Sequence, residues 1–402
     1  MERYQLKEEI WWVGAIDWNV RDFHGYETPR GTTYNAYLIT DEKKVLVDGV
    51  RSGFGPELLR RVRACCEPRE IDYLVVNHVE MDHSGAIPSL MKQLGDVQIF
   101  CSRRAKDALL LLYHGEGVQD WDITVVGTGD ELSIGRYTLT FLEVPMLHWP
   151  DSMLTYVKEP KVLLSNDGFG QHLASSRRFA DEVGLDLALD EAAKYYANIL
   201  MPFGNQVQKL VKQVGELGLE FDVIAPSHGV IWRRSEDVAR VIEAYVGWSR
   251  FEAPARVALV FDTMWQSTEK MTRAIEDGIA QEGVECSVFR LNHSALADVA
   301  RAVLGHRAFV VGSPTLNNGM LPTVGAFLTY IRGLRPKNRL VGAYGSYGWG
   351  GGAAKLISAG LEELGLDVMD PLELKYVPTE DDLEACVDYG REVARRVKAW
   401  GR

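Results

Sequence analysis

Apolar strands and amphipathic helices alternate regularly over the last third of this 402-residue chain. "RVALVFDT" (256–263) is typical of a buried strand, and "STEKMTRAIEDGIAQEG" (267–283) of a helix with Ser267 or Thr268 near its N-cap and Gly283 after its end. Further strands are predicted at 284–291, 307–314, 339–346 and near 366–376, and further helices at 295–304, 322–333, 352–364 and 380–399. This β–α repetition predicts a doubly wound parallel sheet.

The first 250 residues follow a different pattern, in which short apolar runs come after irregular turns and helices are fewer. The apolar runs lie at 44–50, 71–78, 97–102, 137–144 and 161–168, and the helical patterns at 103–113, about 186–200, 205–218 and 235–249. This pattern predicts a sheet sandwich with helices packed outside it. The length favours two domains, with a boundary near 249–256, and we predict domains at 1–250 and 251–402.

Charge and cysteine content exclude several classes of protein. The net charge is −12 and there is no long run of Lys or Arg, which argues against nucleic acid and anionic membranes as partners. The five cysteines are scattered without a C-x-x-C pair, which argues against a disulfide framework and a cysteine-ligated zinc or iron–sulfur site. No signal peptide or segment of membrane-spanning length is evident, so we expect a soluble cytoplasmic protein.

The segment "NHVEMDHSGAIP" (77–88) places His78, Glu80, Asp82 and His83 directly after an apolar run. Charged groups are costly to bury unless they are paired or bind a metal. If the segment stays extended, its period of two directs His78, Glu80 and Asp82 to one side and His83 elsewhere. Imidazole and carboxylate without thiolate suit iron or manganese as well as zinc.

Three later strand ends carry further ligand types: His148 in "EVPMLHWPD", Asp167 in "LLSNDGFG" and His228 in "VIAPSHGVIW". Each of them alone is equally compatible with a turn that contains a hydrogen-bonded polar side chain. The recurrence of the same context together with the 77–88 cluster predicts a metal site.

The order H-x-E-x-D-H, followed by later His, Asp and His, resembles the metallo-β-lactamase superfamily. Glu80 stands where zinc hydrolases of that superfamily usually have a second His, and together with the β–α half this resembles the flavodiiron proteins, or A-type flavoproteins. The resemblance covers essentially the whole chain. It implies an N-terminal metallo-β-lactamase-like αββα sandwich and a C-terminal flavodoxin-like domain. It also implies one iron held by His78, Glu80 and His148, a second held by Asp82, His83 and His228, and Asp167 as the bridge.

A charge count agrees with a diiron site. Two ferrous ions carry four positive charges, and the carboxylates of Glu80, Asp82 and Asp167 with one bridging hydroxide neutralise them. The extra oxygen donor from Glu80 makes the site harder, which favours iron over zinc.

The segment "FDTMWQSTEKM" (261–271) offers hydroxyls where a helix begins, which suits an anion. It lacks the Gly-Lys-Ser/Thr of a triphosphate loop and the G-x-G-x-x-G of a dinucleotide site, so a single phosphate ester fits best. Glycine-rich turns without a ligand are the alternative. The arrangement resembles flavodoxin binding FMN. The implied FMN-binding residues are Thr263, Met264, Trp265, Gln266, Ser267, Thr268, Pro314, Thr315, Leu316, Asn317, Asn318, Gly319, Ser346, Tyr347, Gly348, Trp349, Gly350 and Gly351.

Flavodiiron proteins often carry a histidine and a tyrosine that line the diiron pocket, and His24 and Tyr195 match those positions. Both could donate hydrogen bonds or protons during catalysis. A histidine on a surface loop and a tyrosine at the edge of the core are the alternatives, and Tyr196 competes with Tyr195 for the role.

The resemblance implies an oxidoreductase that reduces O2 to water, NO to N2O, or both, with FMN passing electrons to two irons. It also implies a head-to-tail homodimer or a dimer of dimers. Without C-x-x-C pairs no rubredoxin module is expected, so the donor is separate: rubredoxin, a reduced deazaflavin or another flavoprotein. A metal-dependent hydrolase of the same fold and a flavodoxin-like electron carrier are the alternatives.

Overall fold

The computed structural model describes residues 4–400, and they form two compact units. The first unit extends to Tyr195 and includes Asn205–Val246. The second unit takes Tyr196–Gly204 and continues from Gly247. Residues 196–204 therefore belong to the second unit, although the chain on either side of them belongs to the first. From Gly247 onward the chain belongs to the second unit.

The first unit is built largely from strands. In chain order they are β1 (Tyr4–Lys7), β2 (Ile10–Trp12), β3 (Ala15–Asp17), β4 (Asp22–Phe23), β5 (Tyr26–Glu27), β6 (Thr32–Tyr34), β7 (Tyr37–Thr40), β8 (Lys44–Val47), β9 (Tyr73–Val76), β10 (Gln98–Cys101), β11 (Ile123–Val125), β12 (Glu131–Ser133), β13 (Thr138–Glu143), β14 (Met153–Val157), β15 (Val162–Asn166) and β16 (Val223–Pro226). Within the described residues, one sheet has the order β1-β2-β7-β8-β9-β10-β11 and a second has the order β12-β13-β14-β15-β16. Short ladders β3–β6 and β4–β5 complete the set.

The α-helices between these strands are α1 (Gly55–Val62), α2 (Met81–Ser84), α3 (Ile87–Leu94), α4 (Arg103–Leu112), α5 (Ala180–Val183), α6 (Leu185–Tyr195), α7 (Gly204–Glu216) and α8 (Ser235–Ser249). Single 3-10 turns lie at Pro68–Glu70, Val118–Asp120 and Met201–Phe203, and a π-helical turn lies at Tyr196–Leu200.

The two sheets of the first unit pack face to face, as the sequence pattern predicts. Val75 of β9 belongs to a fully buried cluster with Phe141 of β13 and Leu164 of β15. Its neighbour Leu74 points to the opposite face of the sheet, because side chains alternate along a strand. That face packs against helices, where Leu90 of α3 is also fully buried. The sandwich with outer helices is therefore confirmed, and its strand ends carry the candidate site.

The second unit is a parallel sheet wrapped by helices. Its elements are β17 (Arg256–Phe261), α9 (Ser267–Gln281), β18 (Glu285–Arg290), α10 (Leu296–Gly305), β19 (Ala308–Gly312), α11 (Pro322–Leu334), β20 (Leu340–Tyr347), α12 (Ala353–Glu362), β21 (Asp367–Val368), β22 (Leu372–Lys375) and α13 (Glu380–Ala399). The strand order in the described part is β18-β17-β19-β20-β21, and β22 also pairs with β20. These pairings are parallel, which confirms the predicted doubly wound fold.

Two local details differ from the sequence expectation. The strand predicted near 366–376 is divided into β21 and β22, and Pro371, which has no N–H to donate, lies between them. Helix α9 begins at Ser267 with Gln266 as its N-cap, and no side chain closes the cap. Gln266 has φ of +68°, so the chain turns sharply into the helix.

Among the described helices, none is both long and apolar enough to cross a bilayer.

Candidate metal centre and flavin pocket

Ends of neighbouring strands bring the candidate metal ligands together. His78 and Glu80 follow β9 of the first sheet, and His148 lies between β13 and β14 of the second. Asp167 follows β15 and His228 follows β16, two strands that pair in parallel, so their carboxyl ends lie at the same edge. Asn77, which comes directly before His78, connects the first sheet to β14 of the second. Its carbonyl accepts a hydrogen bond from Met153 N, and its side-chain oxygen accepts one from the Thr155 hydroxyl.

The segment after β9 is not extended throughout, and the expectation of a simple period of two is wrong. Met81–Ser84 form a helical turn, closed by the hydrogen bond from Gly85 N to Met81 O. Asp82 and His83 are therefore directed by a helical rather than an extended backbone. Gly85 is required there, because a Cβ atom at this position would lie only 2.4 Å from Met81 O.

The predicted ligands gather in two groups that share Asp167. Oδ2 of Asp167 lies 3.7 Å from Nε2 of His78 and 3.4 Å from Nε2 of His148. Its other oxygen, Oδ1, lies 3.3 Å from Nε2 of His83 and 3.5 Å from Nε2 of His228. The two oxygens of one fully buried carboxylate thus face two different pairs of imidazoles.

Each group is completed by one further carboxylate. Oε2 of Glu80 lies 3.4 Å from Nε2 of His78 and 3.3 Å from Nε2 of His148. Oδ2 of Asp82 lies 3.1 Å from Nε2 of His83 and 3.0 Å from Nε2 of His228. The donor atoms of His78, Glu80, His148 and Asp167 lie within 4.8 Å of one another, and so do those of Asp82, His83 and His228. This spacing suits a metal ion. The structure thus brings all seven predicted ligands into one site.

Most of these donor atoms lack a hydrogen-bond partner among the described residues. This is so for Nε2 of His83, His148 and His228 and for both oxygens of Asp82 and Asp167, although all are buried. Buried polar atoms are almost always satisfied, so a cluster of unsatisfied ones needs an explanation. The unsatisfied atoms are explained by ions that would bind at common positions between them. The residues therefore fit a pair of metal ions.

The electrostatics of the group also favour cations. Burial opposes a charged imidazole, but hydrogen bonds to Asp151 and Glu80 raise the pKa of His78 to about 10. Burial likewise opposes charge on His83 and His148, yet the neighbouring carboxylates raise the pKa of each to about 9. The pKa of Asp167 lies well below its ordinary value despite burial, because His83 and His148 face it.

Sequence reasoning missed the residues that hold the imidazoles in place. Oδ2 of Asp151 accepts a hydrogen bond from Nδ1 of His78 at 2.8 Å and another from Val79 N at 2.9 Å. The carbonyl of Thr33 accepts from Nδ1 of His228 at 2.7 Å. Both contacts leave Nε2 free to bind a metal. The position of Asp151, three residues after His148 in "HWPD", was the available signal.

His24 and Tyr195, predicted from the resemblance, both lie beside this site. His24 follows β4 in the β4–β5 hairpin, and its Nε2 lies 3.5 Å from Oε1 of Glu80. Tyr195 is the last residue of α6, fully buried, with its ring 6.0 Å from that of His228. The competing Tyr196 instead packs its ring 5.3 Å from Trp248.

Another buried histidine, which the sequence did not single out, lies beside His24 and Tyr195. His172 is 4% exposed, and its Nδ1 contacts the Thr32 hydroxyl at 2.8 Å. Its ring lies 5.0 Å from Tyr195 and 5.4 Å from His24. Burial lowers the pKa of His172 well below its ordinary value, so this imidazole stays neutral.

The second unit contains a cavity of about 560 Å³ at the carboxyl ends of its strands. The predicted residues that line it are Thr263, Met264, Trp265, Ser267, Pro314, Thr315, Asn317, Asn318, Ser346, Tyr347, Gly348, Trp349 and Gly350. Tyr376 and Val377 also line it and were not predicted. The lining contains hydroxyls, amides and aromatic rings but no charged side chain, which fits a flat ring carrying a single phosphate.

Five predicted residues do not line this cavity: Gln266, Thr268, Leu316, Gly319 and Gly351. Thr268 is fully buried behind it, where its hydroxyl lies 3.0 Å from that of Ser346. Leu316 and Gly319 exchange backbone hydrogen bonds in a tight turn. These contacts shape the loops that line the cavity.

Comparison with protein families and known proteins agrees with the two kinds of domain seen in the structure. Residues 32–229 match the ODP family of β-lactamase-like domains, and residues 259–390 match flavodoxin. A nitric oxide reductase of Moorella thermoacetica is 47% identical over 396 residues, which cover 98% of each chain.

Two solved structures resemble the chain over nearly its full length. The rubredoxin oxygen:oxidoreductase of Desulfovibrio gigas has a TM-score of 0.95 at 39% identity and covers 99% of both chains. The flavodiiron protein of Giardia intestinalis has a TM-score of 0.96 at 36% identity and covers 100% of this chain and 98% of its own.

Proposed function

Because the chain belongs to the flavodiiron proteins, we propose that it reduces dioxygen to water, nitric oxide to nitrous oxide, or both. The observation that carries this proposal is the position of Asp167, whose two oxygens face two separate groups of imidazoles and carboxylates. A zinc hydrolase of the same fold is disfavoured by Glu80, which adds a carboxylate to one group.

The metal ligands are proposed residue by residue. His78, Glu80 and His148 would hold one iron, Asp82, His83 and His228 the other, and Asp167 would bridge them. When bound, the irons supply electrons and open positions at which a diatomic gas is reduced. Asp151 and Thr33 keep His78 and His228 in the orientation that presents Nε2.

Two side chains beside the ligands would handle protons. Burial and the Asp167 carboxylate raise the pKa of Tyr195 well above its ordinary value, so its hydroxyl keeps its proton and can donate a hydrogen bond. His24 lies against Glu80 with neither ring nitrogen hydrogen-bonded to a described residue. Both groups are therefore available to a molecule bound between the metals.

The cavity of the second unit would hold FMN. When bound, FMN supplies a store of two electrons that connects an external donor to the irons. Ser267 and the backbone N–H groups at the start of α9 would hold the phosphate, since the dipole of a helix favours an anion at this end. The loops at 314–319 and 346–351 would enclose the ribityl chain and the ring.

We propose rubredoxin as the electron donor, because one relative is a rubredoxin-oxygen oxidoreductase. We further propose a head-to-tail homodimer, in which the flavin of one subunit serves the irons of the other. Exposed apolar side chains beside each site support this arrangement: Met81 is 57% exposed next to Glu80, and Trp265 and Trp349 are 89% and 94% exposed at the flavin cavity. Such side chains are typical of surfaces that become covered.

The function is tested by quantifying iron and FMN in purified protein, reducing it without oxygen and exposing it to each gas. We expect two irons and one FMN per chain and rapid consumption of at least one gas. The variants Glu80→Ala and His148→Ala should lose gas consumption. Protein that contains only zinc, or a His148→Ala variant that consumes gas at the normal rate, contradicts the proposal.

The homodimer is tested by complementation. Glu80→Ala disables the metal site, and Ser267→Glu places a negative charge against the FMN phosphate, so each variant alone should be inactive. Co-expression should restore activity, because a mixed dimer joins one intact flavin site to one intact metal site. Co-expressed protein that forms mixed dimers yet stays as inactive as either variant contradicts a head-to-tail arrangement.

A further inference from the structure

The sequence predicts three loops around the flavin cavity, and the structure adds a fourth. β22 pairs in parallel with β20, from Tyr344 opposite Leu372 to Tyr347 opposite Lys375. The residues that follow β22 therefore emerge beside the loop that begins at Tyr347. Tyr376 and Val377 line the cavity from this side.

Tyr376 is anchored in an unusual backbone conformation. Its φ is +59°, which non-glycine residues seldom adopt, and its N–H donates to the carbonyl of Tyr347 at 2.6 Å. A Cβ atom on Gly348 would lie 3.4 Å from Cε1 of Tyr376, so the ring lies directly against the flavin loop. Strained residues of this kind concentrate at functional sites.

The side chain of Tyr376 is nevertheless poorly covered by its own chain. It is 58% exposed, and its neighbour Val377 is 60% exposed. An aromatic ring that is fixed through its backbone, faces a cavity and leaves most of its surface open is suited to contact a flat ligand. Trp265 and Trp349 are much more exposed, at 89% and 94%, and so are less constrained by the cavity wall.

The same strand also supports the loop through Glu373. Oε1 of Glu373 accepts a hydrogen bond from Gly352 N at 3.0 Å, at the end of the flavin loop. Tyr376, which follows β22, thus contacts this loop at its start, and Glu373 of β22 contacts it at its end. The strand therefore positions the loop as well as presenting the ring.

We propose that Tyr376 is a flavin-contacting residue, whose ring closes the side of the cavity next to Tyr347 and Gly348. This inference rests on the proposed FMN site and adds to it a residue that the sequence pattern does not indicate. Tyr376 contributes through its aromatic face, since its backbone hydrogen bond to Tyr347 is available to any residue at this position.

The experiment removes FMN from the full-length protein and titrates it back while flavin fluorescence is recorded. Tyr376→Ala should raise the dissociation constant about three- to tenfold, the effect of one aromatic contact, whereas Tyr376→Phe should stay within about twofold of the parent. Leu356→Ala is the matched control, because Leu356 is 47% exposed in the same unit and outside the cavity lining. It should bind FMN as the parent does.

Parent protein that fails to bind FMN would overturn the proposed flavin site itself. Parent protein that binds FMN while Tyr376→Ala binds it equally tightly would overturn only the role of Tyr376. If the alanine variant does not fold, Tyr376→Leu, which keeps the bulk but loses the aromatic face, decides in the same titration. The visible circular dichroism of the bound flavin should change in the alanine and leucine variants but not in Tyr376→Phe.

Discussion

Asp151 holds His78 by a hydrogen bond of 2.8 Å between its Oδ2 and Nδ1 of the imidazole. Both side chains are almost fully buried. Burial works against the charged carboxylate, but His78 keeps the pKa of Asp151 below its ordinary value. An ionised acceptor at Nδ1 determines which nitrogen of His78 carries the proton, and Nε2 is left for the metal.

The variant Asp151→Asn should bind iron more weakly, because an amide can donate to Nδ1 and stabilise the wrong tautomer of His78. We expect a loss of about ten- to a hundredfold in metal affinity, measured as iron per chain after dialysis against a chelator. Asp107→Asn, on the exposed face of α4, is the control and should retain its iron. Equal iron content in both variants would show that Asp151 has no part in metal binding.

Two adjacent tyrosines provide a matched pair for the gas-reduction step. Tyr195→Phe should retain both irons, since Tyr195 is not a proposed ligand, but should slow gas consumption about tenfold or more through loss of a hydrogen-bond donor. Tyr196→Phe should react at the parent rate, because the ring of Tyr196 packs against Trp248. The measurement is single-turnover consumption by reduced protein, and an equal rate for the two variants contradicts the role of Tyr195.

Removal of iron should destabilise the first unit. Three carboxylates share one site, and those of Asp82 and Asp167 are buried. A ligand that binds only the folded state, present at a hundred times its dissociation constant, adds about 2.7 kcal/mol of stability. We therefore expect the melting temperature of this unit to fall by about 5 to 10 °C after chelation and to recover when ferrous iron returns. Calorimetry measures the change, and flavin fluorescence should show no matching shift in the second unit. A melting temperature that is the same with and without iron counts against a bound pair of metals.

The buried Arg339 should affect the stability of the second unit rather than the candidate sites. Arg339 is 1% exposed, and its guanidinium donates to the carbonyls of Val303, Leu304 and Phe251. It thereby caps the C-terminal end of α10 and holds the backbone at Phe251, two residues after α8 ends. Arg339→Met leaves these carbonyls unsatisfied and should lower the free energy of unfolding by about 3 kcal/mol. Denaturant titration measures it, with the exposed Arg335→Met expected to change stability by less than about 0.5 kcal/mol.

Local pattern was enough to predict the elements that bear the two sites. Apolar runs of strand length and helices with a single apolar face depend on neighbouring residues, so β17 to α13 follow the predicted alternation closely. The local backbone of residues 81–84 was harder to predict, because its supporting contacts come from distant residues. The Ser84 hydroxyl lies 2.7 Å from that of Tyr113, and a Cβ atom on Gly85 would lie 2.9 Å from Ser52 N. Both contacts depend on the surrounding fold.

The sequence by itself determined which kinds of atom are available, namely imidazole nitrogen, carboxylate oxygen and a hydroxyl-rich loop, and in which order along the chain they come. Only the tertiary structure decided that the two oxygens of Asp167 face opposite groups, that Asp151 orients His78, and that Tyr376 reaches the flavin cavity. Each of these relations joins residues from different strands or loops. Their geometry depends on how the sheets pack and on strand register, which nearest-neighbour preferences along a chain do not specify.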